Sequence, residues 1–189
     1  MTKFLKPLVV FLPHLYCFFF FLGSSQTSTC VPELFALKVG QLPDTWEKSW
    51  TFFPPALPKI GAQDAINATF ENDGYYLQHE VYCYRLTLSS YFYFRINREI
   101  YFPSGGWEWS KLEDSEQWPL RSDEALIMCG EGRQAFLGNM CGAALRYGNI
   151  ITIFSLPIAE IDGMNNEGFK EIVLTIDNQI TTISEMEIQ

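Results

Sequence analysis

The chain has 189 residues, a net charge of −9, 48% hydrophobic and 16% aromatic side chains, and two histidines. Such an acidic surface repels phosphate backbones, which argues against nucleic acid as a partner. Two histidines leave little material for imidazole catalysis or a metal cluster. The length fits one domain that can bury a core without depending on disulfides.

Residues 1–25 carry Lys3 and Lys6, then an apolar run over 8–22 that includes Phe18, Phe19, Phe20 and Phe21, then Gly23-Ser24-Ser25; no acid occurs before Glu33. This is the pattern of a secretory signal peptide, with cleavage expected after Ser25. An uncleaved N-terminal anchor is the alternative. The stretch between Pro7 and Gly23 is shorter than the roughly 20 residues of a spanning helix and contains Pro13 and His14. A lipoprotein signal does not fit, because Thr27 stands three places before Cys30. The expectation is an exported protein, periplasmic or secreted, with residues 26–189 forming one domain. Loss of Lys3 and Lys6 takes the net charge to −11. Membrane contact is expected only if the N-terminal segment stays in place.

Cys30, Cys83, Cys129 and Cys141 remain after export, an even number that points to two disulfides. Four cysteines allow three pairings. Cys129–Cys141 is the favoured pair, because the Gly-rich segment between them can bring its ends together, and Cys30–Cys83 follows from it.

Residues 31–60 are interrupted by Pro32, Pro43, Pro54, Pro55 and Pro58, which leaves room for at most two helical turns over 31–39. Residues 74–102 read as β-structure: Val81, Cys83 and Arg85 alternate with Tyr82, Tyr84 and Leu86, and Tyr91 and Tyr93 with Phe92 and Phe94. Ser89-Ser90 is the expected turn. Residues 107–123 read as a polar surface loop or short helix, and 125–128 as strand. Gly148-Asn149 between 142–147 and 150–156 is a hairpin signal. Phe169, Ile172, Val173, Ile176 and Ile180 then fall on one helical face, with Asn165 or Asn166 as the cap. The predicted fold is α+β: an antiparallel, aromatic-rich β-sheet with a C-terminal amphipathic helix packed on one face.

Catalytic parts are scarce. His79 in LQHEVYCY is the one histidine left after export; no G-x-S-x-G elbow occurs, and an isolated strand histidine is more often structural than a base. No metal centre and no cofactor are expected: the cysteines are committed to disulfides, and Gly130-Glu131-Gly132 is not followed by a phosphate-binding Lys-Ser/Thr pair. Asp162 to Glu167 offers oxygen ligands in a turn but lacks the spacing of a calcium loop, so helix capping is preferred. Glu108, Glu113, Asp114 and Glu116 lie near Trp107, Trp109 and Trp118. Two facing carboxylates would suit a glycosidase and the indoles would suit sugar stacking, but acids and tryptophans in a polar loop are ordinary. The leading expectation is a non-enzymatic domain that binds another extracytoplasmic protein or supports an envelope assembly. The alternative is a polysaccharide-binding module using exposed Trp107, Trp109 and Trp118.

Overall fold

The computed structural model describes residues 30–42, 45–49, 61–102, 106–133, 138–158 and 165–186. The expected signal segment and residues 162–164 of the calcium-like turn lie outside the described residues. Seven strands form an antiparallel sheet in the order β1-β2-β3-β7-β6-β5-β4. They are β1 (Glu47–Lys48), β2 (Ala62–Asn72), β3 (Tyr75–Tyr84), β4 (Trp107–Lys111), β5 (Glu124–Gly132), β6 (Asn139–Tyr147) and β7 (Ile150–Ile158). Helices α1 (Pro32–Phe35), α2 (Thr87–Ile96), α3 (Arg98–Tyr101) and α4 (Asn166–Met186) complete the fold, which has the predicted α+β architecture.

Strand β2 was not anticipated from sequence. AQDAINATFEN is rich in Ala, Asn and Asp, which have weak strand preference, and it forms because the ladder to β3 supplies its partners. The connecting turn puts both Asp73 (φ 48°) and Gly74 (φ 80°) in the left-handed region. That is the hairpin geometry whose handedness matches strand twist, and Asp and Gly tolerate it best.

Helix α4 follows its sequence pattern. Asn165 Oδ1 accepts the Gly168 N–H at 2.9 Å and caps the start. Phe169, Ile172, Val173, Ile176 and Ile180 are all buried with Leu77, Val81, Leu145, Phe154 and Leu156 of the sheet, and Phe169 stacks on Phe154 at 5.8 Å between centroids. The same helix buries the carboxylate of Asp177. Its oxygens accept the Tyr147 hydroxyl at 2.8 Å, the Arg121 N–H at 3.0 Å and the Ser122 N–H at 3.1 Å. Burial and this bond hold the Tyr147 hydroxyl well above the ordinary tyrosine range. Asp177→Leu would strand three donors at once, and the expected loss is about 3 kcal/mol. A urea midpoint unchanged in that variant would show that the segment before β5 finds other acceptors.

Two expectations are corrected. Residues 91–94 are not a strand, and Ser89-Ser90 is not a turn: both lie inside α2. Every position from 91 to 94 is aromatic, so two-residue alternation carries no information there. The helix wins because it places Ser90 and Phe94 on one buried side, with Phe94 joining Tyr82, Tyr84, Tyr101 and Phe102. Asn97 ends it, its Nδ2 donating to the Tyr93 carbonyl at 2.8 Å. Glu124 fastens α2 to the sheet by pairing with Arg95 and with Arg146, each at 2.8 Å. The second correction concerns 107–123, which holds the edge strand β4 and a 3-10 turn over Glu113–Gln117. The polar alternation W-E-W-S-K belongs to a short edge strand.

Candidate functional site

Strand alternation divides β3 between the two sheet faces. Leu77, Val81 and Cys83 belong to the α4 side; Tyr82 and Tyr84 pack on the opposite side with α2 and α3, where Gln78 and Glu80 share their phase.

His79 is wholly enclosed on the α4 side. Its Nδ1 accepts the Leu37 N–H at 3.0 Å, so the other ring nitrogen holds the proton and donates to Thr152 Oγ1 at 2.6 Å. Thr152 in turn donates to the Glu80 carbonyl at 3.2 Å. Burial pulls the imidazole down from 6.5 to about 3, so it stays neutral and ties the N-terminal segment to the seam between β3 and β7. A ring committed at both nitrogens is no base for a nucleophile.

The cysteines form Cys30–Cys83 and Cys129–Cys141, with Cα separations of 5.7 and 4.1 Å. The second joins residues directly opposite in the β5–β6 ladder. The first secures the segment leading to α1 at the end of β3. Two such bonds fit an oxidising compartment. Among the described residues no helix is long and apolar enough to cross a membrane, and no group of three His, Cys, Asp or Glu is placed to hold a metal.

The side-chain arrangement most suited to a ligand lies on the α2–α3 side. A cleft of about 410 Å³ opens between the β2–β3 turn, α3, β4 and the β6–β7 strands. Trp107, Trp109, Tyr76 and Tyr101 give it aromatic walls; Met140, Ile153 and Pro157 add apolar surface; Gln78, Glu80 and Ser155 supply the polar groups. The two indoles stand 6.0 Å apart, and Trp109 meets the edge of Phe102 at 5.1 Å. Gly130 permits this: a Cβ there would fall 3.0 Å from Trp107 Cβ and from the Trp109 ring. Gly142 does the same opposite Phe102, where a Cβ would come within 2.9 Å. These glycines serve close approach. Glu80 is buried and receives the Tyr82 hydroxyl. Burial, with Tyr84 nearby, keeps the Tyr101 hydroxyl protonated far above neutral pH.

The three tryptophans named from sequence do not share one surface. Trp107 and Trp109 are half-buried on the cleft side, whereas Trp118 is buried on the α4 side, 6.1 Å from Phe169 and below Lys170 Nζ. It follows the 3-10 turn, which aims it inward as a core residue. The acids are also dispersed. Glu108 points to the face opposite the two indoles, while Glu113, Asp114 and Glu116 are exposed on the 3-10 turn. Lys111 pairs with Glu116 and holds its carboxyl below the usual range. The carboxylate that does stand opposite Glu108 is Glu131, its register partner on β5, in a separate cleft of about 530 Å³. Both are exposed, and Arg133 lies 3.9 Å from Glu108. Glu80, Tyr76 and Tyr101 were not singled out from sequence as site residues. They come from two segments, β3 and α3, and only the placement of Glu80 on the sheet face opposite His79 was readable, from strand alternation.

Comparison of the chain with family models, with curated proteins and with solved structures gives no significant match.

Proposed function

We propose that this is an exported, non-enzymatic binding domain whose ligand is a carbohydrate held in the cleft of Trp107 and Trp109. The observation that carries the reading is the combination of aromatic walls with Gln78, Glu80 and Ser155 in one concavity of about 410 Å³. Sugar rings present apolar faces that stack on indoles and hydroxyls that need acceptors and donors, and the volume is in the range of small-ligand pockets. The concave site favours a small ring-shaped ligand over the protein partner that led the expectations from sequence. Export is supported by the leader-like residues 1–25 and the two disulfides.

The test is a broad glycan panel, followed by titration calorimetry on any sugar that binds. Trp107→Ala combined with Trp109→Ala is expected to weaken binding about 100-fold, as loss of buried aromatic anchors does. Trp118→Phe should leave affinity unchanged, since Trp118 lies on the other side of the sheet. A wild-type protein that binds nothing in the panel, or a double variant that binds as well as wild type, would end the reading.

A further inference from the structure

Nine large apolar residues are exposed among the described residues, and eight of them fall in two segments: Val31, Leu34 and Val39 in one, Leu86, Leu88, Tyr91, Phe92 and Ile96 in the other. The disulfide Cys30–Cys83 joins these two segments, because Cys30 precedes Val31 and Cys83 stands three residues before Leu86. On α2 the exposure is strongest at Leu88 (69%), Phe92 (58%) and Ile96 (55%), spaced four residues apart along one ridge. Among the described residues the ridge stays exposed, Phe92 meeting only the edge of its neighbour Tyr93, while the other side of α2 is committed through Ser90 and Phe94.

We infer that this ridge is a membrane-contact surface, which lays α2 in the interface of a phospholipid bilayer. Two observations select lipid over a second protein. Residues 81–98 contain three arginines and no acid, in a chain of 22 acids; Arg85 is exposed and Arg95 stays largely exposed while pairing with Glu124, so this stretch is the part of an acidic molecule suited to anionic head groups. Its composition, Leu, Phe, Tyr and Ile beside Arg85 and Arg95, is that of a helix lying at a lipid–water boundary. The inference does not depend on the carbohydrate reading, since the ridge is not part of the cleft.

The experiment is photolabelling of the full chain on vesicles of phosphatidylcholine with one-third phosphatidylglycerol and a trace of diazirine-bearing phospholipid. Trypsin releases residues 86–95 as one peptide, bounded by Arg85 and Arg95. Lipid adducts are expected to concentrate in that peptide and to fall at least about tenfold in a Leu88→Ser, Phe92→Ser variant with wild-type near-ultraviolet dichroism. Because the adducts are mapped by residue, the readout holds even if the N-terminal run alone retains the chain on vesicles. Failure to bind the vesicles, adducts confined to other peptides, or equal labelling in the variant would overturn the inference. So would crosslinking of 86–95 to a soluble protein while lipid leaves it unlabelled, which would assign the ridge to a protein partner.

Discussion

Between pH 7 and pH 4 the protein is expected to lose about 3 kcal/mol of stability through His79 alone, and about 5 kcal/mol by the time the pH falls below 3. The imidazole has its ordinary value of 6.5 when the chain is unfolded and about 3 when it is folded. Below 6.5 the unfolded chain therefore binds a proton that the folded chain refuses. Stability is whole above that pH, declines through the window down to about 3, and then levels off. Few domains exceed 15 kcal/mol in total, so this single ring accounts for a large share of acid sensitivity. Carboxylates titrate in the same window, which makes the difference between two proteins the proper readout. His79→Gln can offer an acceptor to the Leu37 N–H and a donor to Thr152, and it carries no titrating group. Urea titrations of wild type and His79→Gln at steps from pH 7 to pH 4 should diverge by about 3 kcal/mol. Parallel curves would mean that water reaches the ring.

Removing Cys30–Cys83 by a double Ala substitution is expected to cost about 4 kcal/mol, against about 3 kcal/mol for Cys129–Cys141. The difference follows from the loops closed, with sequence separations of 53 and 12. A longer tether removes more freedom from the unfolded chain. Cys129 and Cys141 are in addition already opposed by the β5–β6 ladder, whereas the segment around Cys30 is held at β3 by the disulfide and by the Leu37–His79 bond. Guanidinium denaturation of the two variants checks the order. A larger loss for Cys129–Cys141 would place the stabilisation in the native state instead of in the unfolded chain.

How much could be read from sequence depended on whether the signal was local. Gly148-Asn149 and the apolar face from Phe169 to Ile180 are decided within a few residues, and they gave the last hairpin and α4 correctly. At Tyr91 to Phe94 the local pattern is uniform, and the outcome was settled by what Phe94 could reach on the sheet. Leaving Phe92 and Leu88 uncovered violates the pattern rules that sequence reading relies on. Strand β2 has little intrinsic preference and exists through its neighbour. The cleft was the least visible feature. Trp107 and Trp109 attracted notice by composition, but Trp118 did so equally and proved to be core. Glu80, Tyr76, Tyr101 and Ser155 meet the indoles only after β3, α3 and β7 have been brought alongside β4.

The strand order also has a kinetic meaning. β2 and β3 form one hairpin, and β4 to β7 form a run of neighbours in sequence, so each group can assemble from nearby residues. One ladder joins them, with 78–83 set against 150–155. Closing it requires a large loop to come together before any of its hydrogen bonds can form, which makes that event the slow one. The molecule is thus a book of two leaves whose spine is sewn last. Until it is sewn, the inner margins of both leaves are open strand edges, and the time spent in that half-bound state sets how exposed a newly made chain is to pairing with another.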